Sequence, residues 1–279
     1  MPTSRSATAT VSLFIAITLA ISAAVVYVLG HLLDNPDAAI LTVLVPTTVA
    51  VVMTAREAGW SGVRKLLRLR GSAPGSVRLL VTTALTIPVL ALTAIALGSA
   101  VTGESYDIEM PAKGLAILLP LLIVVIGEEY GWRGFTLPRL QVRYSALVTS
   151  LIVGVAWWMW HYPASLIETG VPLDTPFWLF GIFVVSITVV MTSIFNASQG
   201  SVGLMMLFHF ASNAAFVFLP LLPENRGGEL TTFSIFVALA VMLAAVVVRI
   251  NGPESLASRR PHQVRDRRPI ALSVQNREQ

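Results

Sequence analysis

The chain has 279 residues, of which 55% are hydrophobic and only 12% are charged. A typical soluble domain has about 25% charged residues, so this composition excludes an ordinary soluble protein and indicates an integral membrane protein. The formal net charge is +4, and the chain contains no Cys, which excludes disulfides, thiolate metal sites and thiol nucleophiles.

Eight apolar windows approach the roughly 20 residues that a membrane-spanning helix needs. The first exceeds the apolar core of a signal peptide, about 7–15 residues, and is therefore expected to be a retained helix. We predict an all-α polytopic membrane helical bundle with about eight transmembrane helices over residues 1–250, and a basic, disordered cytoplasmic tail over 251–279. The windows are 9–33, 38–54, 77–101, 114–137, 145–167, 176–195, 202–222 and 230–250.

Lys and Arg concentrate in alternate loops, and such residues are held on the cytoplasmic side during membrane insertion. We therefore expect a multi-pass protein of the cell membrane with both termini cytoplasmic, and no nucleic-acid partner, since groove-reading modules are missing. Residues 60–70 mix basic and apolar positions, which is typical of an interfacial amphipathic helix, with a plain cytoplasmic linker as the alternative. The basic residues on the predicted cytoplasmic side include Arg5, Arg56, Arg64, Lys65, Arg68, Arg70, Arg78, Arg139, Arg143 and the Arg residues from Arg249 to Arg277.

Ionisable residues inside the windows form three clusters, although each charge costs about 2.5–3.5 kcal/mol at the bilayer centre. Four-residue spacing lets Glu129 pair with Arg133 on one helix face and directs Glu128 elsewhere. The same spacing places Trp157 one turn before His161, and His209 one turn before Asn213. Each cluster has a structural alternative as a packing salt bridge or an interhelical hydrogen bond. The clusters lie within residues 127–134, 157–163 and 209–213.

Three motifs of the chain together resemble those of the CPBP family of intramembrane proteases. They are Glu128-Glu129-x-x-x-Arg133, Trp157-x-x-x-His161 and His209-x-x-x-Asn213. That family includes the type II CAAX prenyl endopeptidases and the bacterial Abi proteins, and its core would cover about residues 114–222 here. The departure is Trp157, where the family usually has Phe.

The resemblance implies a glutamic intramembrane endopeptidase that hydrolyses a peptide bond of a membrane-associated protein or peptide. Glu128 would activate water with the help of His161, and His209 and Asn213 would stabilise the oxyanion. Supporting roles would fall to Glu129, Arg133 and Trp157.

The resemblance leaves metal dependence open. A zinc ion held by Glu128, His161 and His209 is one alternative, but the H-E-x-x-H helix pattern is absent and we favour catalysis without a cofactor. A transporter or proton relay would also use embedded ionisable groups, yet no internal repeat is found. A catalytically silent scaffold or immunity protein is the remaining alternative. The residues identify neither a prenylated substrate nor an oligomeric state.

Helix lengths predict different depths in the membrane for Glu128, His161 and His209. Measured from Arg143 at 1.5 Å per residue, Glu128 and His161 lie roughly 22 and 27 Å from the cytoplasmic end, whereas His209 is only about seven residues into its window. The three side chains meet only if a helix begins later or if the chain breaks. Glycine and proline at 131, 134 and 138 favour a break or re-entrant bend that lines a cavity.

Overall fold

The computed structural model describes residues 4–69, 77–105, 114–167, 174–223 and 228–257. The described residues form helices and no strand. Short π-helical segments, Tyr27–Leu32 and Tyr130–Thr136, continue α1 and α4, and 3-10 segments, Pro36–Leu44 and Gly114–Ile117, precede α2 and α4. The α-helices are α1 Ser4–Val26, α2 Val45–Leu66, α3 Val77–Thr102, α4 Leu118–Glu129, α5 Leu137–Leu140, α6 Ala146–Trp160, α7 Tyr162–Ser165, α8 Phe177–Ala197, α9 Val202–Phe218 and α10 Leu230–Asn251.

Each of the eight apolar windows corresponds to one continuous helical stretch, so the predicted all-α polytopic bundle is confirmed. Two of these stretches are short, since α6 has 15 residues and α9 has 17. Among the described residues, six helical stretches are long and apolar enough to cross a membrane: Ala7–Leu32, Ile40–Leu66, Val77–Thr102, Leu115–Leu140, Phe177–Ala197 and Leu230–Asn251.

Helix α8 lies at the centre of the bundle. Of its apolar window 67% is buried, against 28–39% in the other five long stretches. Helix α8 packs against α6 and α10, and α10 in turn packs on α3. Helix α9 contacts α3, α4 and α8. Helices α4 and α9, which carry Glu128, His209 and Asn213, contact each other in this arrangement.

Small residues bring α4 and its π-helical continuation close to α2. A Cβ atom on Gly131 would lie 2.6 Å from the backbone carbonyl of Pro46, and Gly127 approaches the carbonyl oxygen of Val43. Thr47 reinforces the contact by donating from Oγ1 to the carbonyl of Ile126 at 3.0 Å. Larger side chains at these glycines would force the two helices apart.

The predicted break at Gly131, Gly134 and Pro138 is wrong. The chain runs from α4 through the π-helical segment Tyr130–Thr136 into α5 without leaving helical geometry. A π-helical turn accommodates the glycines while keeping backbone groups paired within the helix, as a membrane interior requires. Pro138 falls in the first turn of α5, where a missing N–H is tolerated.

The depth question is answered by the level at which α9 begins. The helix starts at Val202, the first residue of its predicted window, and in the turn before it Ser198 and Ser201 are buried whereas Gln199 is exposed. A Cβ atom on Gly134 would lie 3.6 Å from Cγ2 of Val202. Helix α9 therefore begins beside the π-helical segment, below the level of α5, and His209 reaches the depth of Glu129.

The backbone of α2 is non-helical at Gly59 (φ 59°, ψ −165°), so the chain kinks there. Residues 60–66 are helical beyond the kink, and Trp60 is 73% exposed. The hydroxyl of Tyr130 donates to the carbonyl of Leu67 at 3.0 Å and so holds the end of the segment. The segment predicted as an interfacial helix is thus helical as far as Leu66, and residue 70 lies outside the described residues. The position of this segment at a membrane surface stays a prediction.

The first residues of the predicted tail, 251–257, pack on the bundle. The carbonyls of Glu254 and Pro253 accept hydrogen bonds from the backbone N–H groups of Ala146 and Leu147, at 2.9 and 3.0 Å. Leu256 is fully buried. This short segment caps the start of α6, and residues 258–279 lie outside the described residues.

Candidate active site

A cavity of about 90 Å³ lies between α4, α9 and the end of α6. Its lining brings together the four predicted catalytic side chains, Glu128, His161, His209 and Asn213. The remaining lining residues are Ser22, Val26, Ile40, Thr42, Val43, Val124, Trp160 and Ala164. Three motifs spread over 86 positions of sequence, from 128 to 213, therefore meet around one space.

Glu128 is 2% exposed and lies at the end of α4. Its Oε2 accepts a hydrogen bond of 2.7 Å from the indole Nε1 of Trp157. The indole therefore holds one carboxylate oxygen, and the second has no hydrogen-bond partner among the described residues. That second oxygen is available to a water molecule or substrate in the cavity.

Glu129 points away from Glu128, as the helical spacing predicted. Its Oε1 lies 2.8 Å from Nη1 of Arg133, one turn further along, and 2.8 Å from Nδ1 of His209. The predicted Glu129–Arg133 pair is therefore present, and the same oxygen also holds a histidine from α9.

Arg133 is buried between α4, α6 and α8 and is 1% exposed. Its guanidinium carbon lies 3.9 Å from the ring centroid of Trp157. Nη2 points at α8, where it lies 3.2 Å from Sδ of Met191. An aromatic face and an ion pair together compensate for removing this cation from water.

His161 directly follows α6. Its Nδ1 lies 2.7 Å from the carbonyl oxygen of Trp157, one turn earlier. A carbonyl oxygen only accepts, so Nδ1 carries a proton and the neutral ring keeps its lone pair on Nε2. The rings of Trp160 and Phe180 enclose the imidazole, with centroids 4.8 and 5.1 Å away.

His209 and Asn213 lie one turn apart on α9 and line the same cavity. The His209 ring meets the edge of Trp157 at a centroid distance of 5.2 Å. Since Nδ1 is engaged with Glu129, Nε2 is the nitrogen left to act on a ligand. Trp157 therefore contacts both histidines and the Arg133 guanidinium, and donates to Glu128.

Among the described residues, no group of three His, Asp or Glu side chains is placed to hold a metal ion. The alternative zinc set of Glu128, His161 and His209 shares a cavity but does not form such a group.

Several site contacts could not be predicted from the motifs. Trp160 donates from its indole Nε1 to Oγ of Ser22 at 2.7 Å, and Thr42 adds a second hydroxyl residue to the cavity wall. Ser22 belongs to α1 and Thr42 to the 3-10 segment, both outside the three motifs. The sequence indicates only weakly that Ser22 and Thr42 belong to the site, since isolated hydroxyl residues in apolar helices often hydrogen-bond to their own backbone.

The fold and this buried cluster of Glu, Arg, His and Asn define a polytopic membrane protein with an enzyme-like polar site in its core. Residues 111–215 match the family model described as Type II CAAX prenyl endopeptidase Rce1-like. CAAX prenyl protease 2 of Methanococcus maripaludis is 27% identical over 133 residues, which cover 46% of this chain and 49% of that protein. The matched region thus spans about half the length of that curated relative.

Residues 111–215 are therefore similar to the Rce1-like CAAX prenyl endopeptidases, and this similarity agrees with the resemblance found in the motifs. The matched range contains all seven predicted site residues and nearly coincides with the expected core of 114–222.

Proposed function

We propose that the protein is an intramembrane endopeptidase that uses Glu128 to activate water. The observation that carries this proposal is the convergence of Glu128, His161, His209 and Asn213 on one cavity, with Trp157 holding a single oxygen of Glu128. A volume of about 90 Å³ has room for water. The protease lies in the membrane, and its substrate is a membrane-associated peptide or protein.

In the proposed reaction, a water molecule lies between the free oxygen of Glu128 and Nε2 of His161. Glu128 takes a proton from the water while the water oxygen bonds to the carbonyl carbon of the substrate. The resulting tetrahedral intermediate carries its negative charge on the former carbonyl oxygen. The C–N bond then breaks, and the proton on Glu128 passes to the leaving amine, which gives a new carboxyl terminus and a new amino terminus.

In this proposal, His209 and Asn213 stabilise the oxyanion. Asn213 donates through its amide, and His209 donates through Nε2. Because Nδ1 of His209 lies 2.8 Å from Oε1 of Glu129, Nε2 is the ring nitrogen that would donate to the oxyanion.

The test compares protein termini in host membranes that contain the wild type, Glu128→Gln or Glu104→Gln at equal levels. Glu104 is an exposed carboxylate that does not line the cavity and serves as the matched control. New termini should occur with the wild type and Glu104→Gln and be missing with Glu128→Gln. Identical terminus profiles in all three membranes would contradict the proposal.

Metal dependence is tested on the purified protein with a substrate identified in this way. We expect cleavage to persist in the presence of a chelator and to gain nothing from added zinc. Loss of activity on chelation, with recovery on zinc addition, would replace the metal-free mechanism.

A further inference from the structure

A second cavity, of about 310 Å³, lies where the end of α2 passes the turn between α8 and α9. It shares no lining residue with the cavity of the candidate active site. None of the described residues that line it is Asp or Glu, and its polar lining residues are Lys65, Arg68, Asn196 and Gln199. The charge that faces this cavity is therefore positive.

Lys65 and Arg68 have exposed side chains, and neither forms an ion pair with a described residue. Arg139 differs, because it pairs with Glu57 of α2 at 2.9 Å. Two like charges that line one cavity repel each other, and an anion placed between them would relieve that repulsion. The two cations of this cavity therefore favour an anionic ligand.

These two cations belong to a segment that is fixed to the bundle. A Cβ atom on Gly134 would lie 3.3 Å from Cδ1 of Leu66, so Leu66 packs directly against the π-helical continuation of α4. From the same continuation, Tyr130 donates to the carbonyl of Leu67 at 3.0 Å. The two cations flank these anchored residues, so their backbone positions are set before a ligand binds, which lowers the cost of ordering them on binding.

The turn between α8 and α9 forms another wall of the cavity. Gly200 N donates to the carbonyl of Phe195 at 2.8 Å, which closes the turn. Nδ2 of Asn196 donates to the carbonyl of Ser255 at 2.7 Å and is therefore already engaged. Gln199 is exposed, and its amide is the polar side chain of this wall that can donate to an anion.

Apolar side chains surround the charged part of the cavity. Phe195 and Val202 are buried in its lining. Leu67 and Leu69, next to the two cations in sequence, are 40% and 62% exposed. Apolar side chains exposed beside basic ones are typical of a membrane interface, where the former contact acyl chains and the latter contact lipid phosphates. An anion that carries acyl chains therefore fits this cavity better than a free anion.

We propose that this cavity binds the phosphate of an anionic phospholipid. Lys65 and Arg68 bind the phosphate oxygens, and Gln199 donates a further hydrogen bond. The acyl chains lie beside Leu67 and Leu69. Inorganic phosphate offers the same oxygens without the chains.

The bound lipid bridges the end of α2 and the turn that precedes α9. A ligand that binds only the folded protein stabilises it, so the lipid should raise the temperature of unfolding. Lipid binding here does not depend on cleavage, because the two cavities are separate.

The test uses the full chain, purified in neutral detergent micelles and heated with increasing amounts of three ligands. These are phosphatidylglycerol, phosphatidylcholine with the same acyl chains, and inorganic phosphate. The variant Lys65→Gln/Arg68→Gln removes both cations from the cavity. Arg64→Gln/Arg249→Gln is the matched control, since both side chains are exposed and neither lines the cavity. The Tm of each protein is compared with its own value without ligand.

We expect phosphatidylglycerol to raise the Tm of the wild type and of the control by more than phosphatidylcholine does, and inorganic phosphate to leave it unchanged. In Lys65→Gln/Arg68→Gln, half-saturation should require roughly 30-fold more phosphatidylglycerol, because each cation near an anionic lipid contributes about a fivefold factor. Added salt should weaken binding to the wild type.

Equal shifts in all three proteins, or equal shifts with both lipids, would overturn the proposal by showing that the lipid acts without the two cations. A shift with inorganic phosphate as large as that with phosphatidylglycerol would overturn the lipid assignment and identify a free anion as the ligand. The absence of any shift with phosphatidylglycerol would show that the cavity does not bind such a lipid.

Discussion

Glu128 and Glu129 are neighbours in the chain but have different surroundings. Consecutive residues of a helix point about 100° apart, so one carboxylate faces the cavity and the other faces the interior of the bundle. Glu129 shares its Oε1 between Arg133 and His209, whereas Glu128 has a single neutral donor, Trp157. The two side chains should therefore respond differently to the same substitution.

Glu129→Gln should destabilise the protein by about 3–5 kcal/mol, because it leaves the buried guanidinium of Arg133 without its counter-ion. Glu128→Gln should leave stability unchanged or raise it, since no buried cation depends directly on that carboxylate. Thermal unfolding in detergent micelles measures both. Equal losses of Tm in the two variants would show that Glu129 is not the main partner of Arg133.

Trp157→Phe should lower kcat by about tenfold, corresponding to a lost hydrogen bond to a carboxylate worth about 1.5 kcal/mol. Phe keeps an aromatic ring over Arg133 and beside His209 but has no donor for Glu128. KM should change little. Steady-state kinetics on an identified substrate give both parameters.

Trp158→Phe is the matched control, because that indole donates to the carbonyl of Phe177 at 3.0 Å, away from Glu128. It should retain wild-type kcat. Unchanged kcat in Trp157→Phe would show that Glu128 is positioned without the indole. Equal losses in both variants would point to a general effect of removing a tryptophan.

At the scale of helices, the contact between the π-helical segment and α2 depends on Gly131. Gly131→Ala should destabilise the bundle by about 1–3 kcal/mol, because the added methyl meets the backbone of Pro46, which cannot rotate away. Gly203→Ala in α9 is the control, since its Cβ would find Leu69 at an ordinary 3.5 Å. Comparison of unfolding free energies tests the pair, and equal effects would contradict a tight contact at Gly131.

Helix positions and local pairs could be predicted from the sequence, because both depend on short-range rules. A run of apolar residues specifies a spanning helix, and four-residue spacing specifies the Glu129–Arg133 pair. The Glu129–His209 contact joins residues 80 positions apart and depends on how α9 packs against α4. Spacing within one helix carries no information about that packing.

The level at which α9 begins in the bundle illustrates the same limit. Counting residues from the loop placed His209 near the cytoplasmic surface, which suggested a break in the preceding helix. The buried turn at Ser198 and Ser201 instead sets the level of α9. Helix depth follows from the packing of a turn, which apolar windows do not reveal.

At the scale of the whole molecule, the segment 251–257 joins the end of α10 to the start of α6. A variant lacking residues 251–279 should be less stable than one lacking only 258–279, by about 2–3 kcal/mol for the burial of Leu256 alone. The Ala146 and Leu147 N–H groups would also lose their carbonyl partners. Thermal unfolding of the two truncations measures the difference, and equal stabilities would show that this packing contributes nothing.

Helix α6 presents an apolar stripe to the exterior of the bundle, formed by Val148, Leu151, Val155 and Met159. The stripe ends with the helix, several ångströms short of a full hydrocarbon layer. We expect lipids next to this stripe to shorten or tilt, which would thin the bilayer beside the cavity. The proposed cleavage should therefore depend on acyl-chain length and be faster in short-chain lipids, which match the length of α6, than in long-chain lipids.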